Sequence, residues 1–141
     1  MRYATKEDIP RLIELSKGLY QEMGVFIPYS EEQTVNTLKV FMSDPTKYLF
    51  LVQEDEGVVV GAIAGTTSVP VFSDAKVAVE HFLYVTPEHR SKGYGKDLIE
   101  AYYYWARLLK CKYALVNKPL SPEKPNPLLG YATETAYIKV L

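Results

Sequence analysis

The run Arg90-Ser91-Lys92-Gly93-Tyr94-Gly95 places two glycines one residue apart among cations, with Lys96 immediately after. Glycine has no Cβ, so a bulky anion can approach the backbone N–H groups closely and positive φ is allowed. Phe82-Leu83-Tyr84-Val85 before it reads as a short buried strand, which Thr86-Pro87-Glu88-His89 breaks. After it an amphipathic segment runs from Lys96 to about Leu109. Strand, glycine loop and helix together aim backbone amides and a helix N-terminus at an anion. The spacing alone admits two readings: a pyrophosphate cradle, or an ordinary loop between strand and helix that carries two glycines.

The elements that must position this loop follow from periodicity. Arg2-Tyr3-Ala4-Thr5 suits a short first strand, and Thr5 with Asp8 three residues on is a helix-start signal. Ile9, Leu12, Ile13, Leu19, Tyr20 and Met23 recur at helical spacing, which predicts a helix from about residue 6 to Gly18 or a turn beyond. Pro10 is tolerable because it lies in the first turn. Gly18 to Tyr29 is expected as a loop or broken helix exposing Tyr20, Phe26 and Tyr29. Ser30 with Gln33 opens a second helix bearing Val35, Leu38, Phe41 and Met42, and Asp44-Pro45 ends it. Strands are predicted over 48–54 and 58–67, joined at Asp55-Glu56-Gly57, and over 77–85. Gly61 and Gly65 within the second of these mark a bulge or a close approach by another backbone. Leu98, Tyr102, Trp105 and Leu109 form a core stripe on the long helix, and the run Tyr102-Tyr103-Tyr104 cannot be wholly buried, since successive helical residues point about 100° apart. A strand is expected over 113–116, a proline-rich loop over 118–127, and a terminal strand or hairpin over 131–141.

A chain of 141 residues fits a single domain and buries roughly two-thirds of its unfolded surface, enough for a core without staples. Apolar residues are 48% and charged residues 23%, which argues against disorder. Net charge is -1, so no overall field exists to hold nucleic acid, and anion binding has to be local. Cys111 is the single cysteine, which excludes an internal disulfide and a thiolate metal cage; it reads as a small buried residue. The charged N-terminus lacks an apolar signal core, and no apolar run approaches the roughly 20 residues that span a bilayer. A cytoplasmic protein without membrane or nucleic-acid partners is expected.

Strand, two helices, three strands, a glycine loop opening a long helix, then two strands is an α+β order with a mixed, mostly antiparallel sheet. The whole chain resembles the GNAT superfamily of acetyl-CoA-dependent N-acetyltransferases. Leu83-Tyr84-Val85-Thr86-Pro87-Glu88-His89-Arg90-Ser91-Lys92-Gly93-Tyr94-Gly95 is similar to that family's Arg/Gln-x-x-Gly-x-Gly signature with its preceding Val-x-Pro-Glu. The opening stretch from Arg2 to Pro10 looks like the family's entry into its first helix, and Gly130-Tyr131 like the Gly-Phe or Gly-Tyr before its last strand. The resemblance implies a three-layer fold with a sheet splayed at the cofactor strand. It also implies that Leu83, Tyr84 and Val85 face pantetheine, and that amides from Ser91 through Lys92, Gly93, Tyr94 and Gly95 to Lys96 hold the pyrophosphate with Arg90 nearby. Val116 and Asn117 would lie on the splayed partner. An N–H near Leu83 or Tyr84 would polarise the acetyl carbonyl, a donor of a kind worth about 2.7–4 kcal/mol.

Acyl transfer needs a neutral amine, and for a lysine-like amine of pKa about 10.4 deprotonation at pH 7 costs roughly 4.6 kcal/mol. Glu80 and His81, beside the implied cofactor strand, are the two candidate bases. In an unbroken strand Glu80, Phe82 and Tyr84 share one face, and His81, Leu83 and Val85 the other; a bulge would exchange them. The family's usual acid is a tyrosine four residues before the Gly-Phe, on a helix. Here that position is Asn126, whose amide can hydrogen-bond sulfur or pantetheine but donates no proton as a phenol does. The prolines around it predict that the helix is lost or reduced. Water, Tyr84 or Tyr131 can substitute.

Three functions compete. The first is acetyl transfer from acetyl-CoA to a primary amine of a small molecule, polyamine, peptide or protein, by a monomer or homodimer. The second is a catalytically weak CoA-binding regulatory module. The third, a phosphate-binding nucleotide or RNA partner, lacks basic and aromatic interleaving. The substrate wall implied by the resemblance draws on Tyr20, Glu22, Phe26, Tyr29 and the Val71-Phe72-Ser73 loop, where one carboxylate among aromatics suits a cationic amine.

Overall fold

A computed structural model of the chain describes residues 1–24, 27–119, 127 and 134–141. Six strands form one sheet: β1 (Arg2–Tyr3), β2 (Tyr48–Asp55), β3 (Val58–Ser68), β4 (Val77–Val85), β5 (Tyr113–Pro119) and β6 (Glu134–Val140), in that spatial order. Every neighbouring pair is antiparallel except β4 and β5, which run parallel. Helices α1 (Ile9–Met23) and α2 (Glu31–Phe41) cover one face, and α3 (Tyr94–Leu108) covers the other. This is the α+β, three-layer arrangement expected, with a mixed and mostly antiparallel sheet.

Local chemistry sets the element ends. Thr5 and Asp8 close a capping box around a short 3-10 turn that leads into α1, with the Thr5 N–H donating to Asp8 Oδ2 at 2.8 Å. The Ser30 side chain accepts from the Gln33 N–H at the start of α2. The first helix takes the longer of its expected courses, a turn beyond Gly18. Residues Gly18 to Met23 are helical, and Gly24, at φ 62°, ends the helix in the left-handed region that glycine adopts freely. Tyr20 therefore sits on a helix and not in a loop.

Alternation along β2 and β3 divides the core. Phe50, Val52, Ala62 and Ala64 pack with Leu12, Leu15, Leu38 and Phe82 under α1 and α2. Leu49, Leu51 and Ile63 pack with Leu98, Tyr102 and Trp105 under α3. Each such fully buried side chain contributes roughly 1.5–3 kcal/mol. Tyr102 is wholly buried while Tyr104 is 63% exposed, the graded exposure that the helix turn requires. Gly65 makes room for this packing: a Cβ there would stand 2.9 Å from the Tyr102 ring. Cys111 is buried, and burial pushes its thiol up.

Asn126, Gly130 and Tyr131, with the expected loss of the helix before the last strand, lie outside the described residues.

Candidate active site

The parallel pairing of β4 with β5 covers only Val77–Tyr113, Ala78–Ala114 and Val79–Leu115. Beyond Val79 the two strands separate, as the expected splay requires. A side chain marks the parting point. Glu80, 4% exposed, accepts the Asn117 N–H on Oε2 at 3.0 Å, while the Asn117 side-chain amide donates to the Glu80 carbonyl at 3.0 Å. These two bonds replace the backbone pairing that would have continued the ladder. Tyr102 donates to the Leu115 carbonyl at 2.8 Å beside them.

A bulge in β4 explains how Glu80 reaches this position. Ala64 pairs with Phe82 and Gly65 with Glu80, so His81 is the extra residue. The bulge exchanges the faces. Glu80 points to the α3 side, where its charge helps raise the Tyr102 phenol, whereas His81 joins Phe82 on the α1 and α2 side. The two candidate bases are thus adjacent in sequence and on opposite sides of the sheet.

Past the bulge the edge of β4 is open. The Thr86 N–H bonds back to the Val60 carbonyl on β3, and alternation then directs Tyr84 and Phe82 toward β3 and Leu83 and Val85 outward. Leu83, Tyr84 and Val85 line a groove of about 270 Å³ with Leu19, Glu22, Arg90 and Gly95. Residues Pro87–Lys92 form a 3-10 turn, and Gly93, at φ 83°, joins it to α3. The first helical bond there is Asp97 N–H to the Gly93 carbonyl, so the amides of Tyr94, Gly95 and Lys96 precede the helix's own ladder. A Cβ at Gly95 would meet only Val85 Cγ2, at 3.9 Å. The protein's own packing does not demand glycine at 95, so the missing side chain leaves groove space for a ligand. An open strand edge, a glycine-bared helix start and this groove fit a pantetheine-pyrophosphate group.

The cations of the loop are not free. Arg90 pairs with Glu22 on α1, donates Nε–H to the Val85 carbonyl at 2.9 Å and stands 5.4 Å from the Tyr84 ring centre. Lys92 pairs with Asp55 at the β2 end, and this ammonium holds the Asp55 carboxyl below the usual carboxylate range. Lys96 lies 3.6 Å from Glu100. His89 closes the turn, with Nδ1 2.7 Å from Thr86 Oγ1. Each cation that the sequence places near the cradle has a carboxylate partner, which leaves the backbone amides as the main anion-binding feature. The cations brace the loop against α1 and the β2–β3 hairpin. Sequence reasoning missed Asp55 and Glu22 as braces, since both are distant along the chain from the residues they hold.

Beside this groove, and sharing Leu19 with it, is a cavity of about 490 Å³ under α1 and α2. Tyr20, Tyr29, Phe41 and Phe82 supply its rings, and Gln33, Thr34 and Thr37 form part of its α2 wall. His81 stacks on Phe41, with ring centres 5.8 Å apart, and its Nε2 lies 2.8 Å from Thr66 Oγ1. Burial lowers the His81 pKa below its ordinary 6.5, which favours the neutral imidazole. Tyr29 shares a 2.7 Å hydrogen bond with Ser16, whereas the Tyr20 hydroxyl is buried with no hydrogen-bond partner among the described residues. Of the residues expected at the substrate wall, Tyr20 and Tyr29 line this cavity. Glu22 instead lines the groove beside β4, and Val71 and Phe72 are 91% and 101% exposed and line neither space. Phe26 lies outside the described residues, and Ser73 does not line the cavity.

Tyr84 lines the groove and not the cavity. It is 8% exposed, and burial pushes its phenol up, so the hydroxyl keeps its proton.

The chain belongs to the GNAT acetyltransferase family, whose sequence pattern matches residues 9–121. The structure is similar to an acetyltransferase from Streptococcus agalactiae at 18% identity, covering 100% of this chain and 96% of that one with a TM-score of 0.71. It is also similar to a GNAT family acetyltransferase from Staphylococcus aureus, at 26% identity over 80% of each chain with a TM-score of 0.60. A third similar structure is AAC(6')-Iy in complex with the bisubstrate analogue CoA-S-monomethyl-acetylneamine, at 18% identity over 79% of this chain and 73% of that one, TM-score 0.64. No curated protein matches the chain significantly in sequence. Among the described residues no helix is long and apolar enough to cross a membrane, and no cluster of three metal-ligating side chains occurs.

Proposed function

We propose that the protein transfers an acetyl group from acetyl-CoA directly to a primary amine. The observation that carries this reading is the open edge of β4, with a glycine-bared groove at its end and a separate aromatic cavity behind it. A thioester lying along the edge and an amine in the cavity would meet at Leu83 and Tyr84.

Acetyl-CoA supplies an activated acetyl group: as the amine nitrogen bonds to the acetyl carbon, the carbon–sulfur bond breaks. The amides of Tyr94, Gly95 and Lys96, at the positive end of α3, hold the pyrophosphate, a helix-end contribution of roughly 0.3–2 kcal/mol. Arg90 and Lys92 keep that loop in place through Glu22 and Asp55. The outward N–H of Leu83 donates to the acetyl oxygen as negative charge develops on it. Neutral His81, on the cavity side, takes the proton of the incoming ammonium directly or through one water. If Nε2–H donates to Thr66, Nδ1 presents the accepting lone pair. Tyr84, held protonated by burial, can return a proton to the departing thiolate, which has a pKa of about 8.5 and leaves tolerably without help. Glu80 acts as a positioning residue: its carboxylate faces Asn117 and α3 and keeps the strands apart.

Calorimetry with acetyl-CoA, run beside a thiol-release assay over a panel of amines, tests the reading. Micromolar binding with amine-dependent thiol release is expected. Binding with no amine-dependent release would leave a CoA-binding module, and absence of binding would overturn both.

A further inference from the structure

Resting on that proposed transfer, we infer that the acceptor is a small primary monoamine carried on an aromatic or branched aliphatic body, and not a polycation. Among the described residues that line the aromatic cavity there is no Asp, Glu, Lys or Arg. The polar groups present are neutral: the hydroxyls and amides of Ser16, Ser30, Gln33, Thr34 and Thr37, the Tyr20 and Tyr29 phenols, and His81. Glu22, the acidic residue that sequence places nearest, is turned into the cofactor groove and paired with Arg90. A second ammonium brought into this cavity would gain no carboxylate from the described residues that line it, whereas an apolar body gains ring contacts.

Two further observations fix where the one amine belongs. The Tyr20 hydroxyl is buried without a partner among the described residues, so a nitrogen beside it gains a bond that none of those residues makes. His81, the one titratable imidazole in the lining, closes the floor against β4 and can accept a single proton. A cavity of about 490 Å³ falls in the range that encloses small organic ligands. The amine therefore faces His81, and the apolar body lies along Leu19 and Met23 of α1.

The test compares 2-phenylethylamine with spermidine and kanamycin at saturating acetyl-CoA, and measures binding of the same amines to the CoA-loaded protein by calorimetry. The expected result is a kcat/KM for 2-phenylethylamine about 100-fold or more above either polycation, the factor that an unpaired buried charge imposes. Thr37→Glu, at an exposed position of α2 on the cavity wall, should narrow that ratio by raising spermidine turnover and lowering that of 2-phenylethylamine. Spermidine or kanamycin acetylated as well as 2-phenylethylamine by the unmodified protein would overturn the inference, as would failure of 2-phenylethylamine to bind. If it binds selectively and no amine is acetylated, the acceptor class stands and the proposed transfer falls.

Discussion

The open edge of β4 and the cavity beside it are built from different materials. In the proposed transfer, recognition at the open edge is a matter of backbone: Leu83 turned outward, three amides at the start of α3, and the absence of a side chain at Gly95. The charged side chains there are spent on one another, Arg90 with Glu22 and Lys92 with Asp55. On the α1 and α2 side, recognition is a matter of side chains, aromatic and uncharged, around a single imidazole. A cofactor common to a family can be met by backbone geometry that many sequences reproduce. An acceptor particular to one protein has to be met by side chains. The bulge at His81 divides the two by sending consecutive residues to opposite faces.

The largest expected effect breaks the cavity side alone. His81→Phe keeps the stacking on Phe41 and removes the proton acceptor. Turnover should fall about 100-fold or more, the lower end of what a general base contributes, with acetyl-CoA affinity unchanged. The pH profile sharpens this. Because burial lowers the His81 pKa, the acid limb of kcat/KM should lie below pH 6.5 in the unmodified protein and disappear in the variant. Stability follows the same sign. The unfolded chain binds the His81 proton first, so this group lends its full stability above about pH 6.5 and loses it as pH falls through the depressed folded value. An acid limb that persists in His81→Phe would assign the base elsewhere.

Gly95→Leu breaks the other side. Its Cβ meets only Val85 at 3.9 Å, so the fold should hold while the side chain fills the groove. Acetyl-CoA affinity should weaken about 100-fold, or ~2.7 kcal/mol, with the melting temperature little changed. Affinity that survives would place the cofactor elsewhere. A smaller effect is expected at the parting of the strands. Glu80→Ala leaves the buried Asn117 N–H without its acceptor and should cost about 1–3 kcal/mol of unfolding free energy, measured in denaturant. Glu80→Gln retains an acceptor and should recover most of that stability together with turnover. Loss of turnover in Glu80→Gln at unchanged stability would make Glu80 the base and reverse the assignment of the two residues.

How much of this could be read in the sequence depended on whether the signal was local. The glycine loop, the strand before it, the core stripe of α3, the Thr5–Asp8 capping box and the Ser30 N-cap are patterns within a few residues, and each appears where its spacing placed it. Gly61 and Gly65 announced an irregularity in β3, and the bulge does fall between Ala64 and Gly65. The residue displaced by it, on the facing strand, was not legible, because register is a property of two strands and not of either. The neutralisation of Arg90 and Lys92 was hidden for the same reason: their partners lie 68 and 37 positions away. The course of α1 past Gly18 was obscured by the glycine itself, which local propensity reads as a break.

That glycine makes the finest comparison between the two sides, because it touches Tyr84, which lines the cofactor groove from within the α1 layer. Glycine inside a helix costs about 1 kcal/mol relative to alanine, so Gly18→Ala should stabilise α1 if nothing stood near it. A Cβ at Gly18 would, however, lie 2.5 Å from the Tyr84 hydroxyl and 2.9 Å from its Cζ. The phenol has to move, and the Arg90 guanidinium, tied to Val85 and Glu22, stands over its ring. The two effects oppose each other, and net stability should change by less than about 1 kcal/mol. Activity should show what stability conceals. A displaced Tyr84 intrudes on the groove, so KM for acetyl-CoA should rise severalfold while selectivity among amines stays as it was. Adding Tyr84→Phe removes the atom in closest conflict but leaves the ring at 2.9 Å, so the double variant should recover only part of any stability lost in Gly18→Ala. If Gly18→Ala instead alters amine selectivity and spares the cofactor, Tyr84 belongs to the acceptor side, and the division of labour across β4 lies one residue further along the strand.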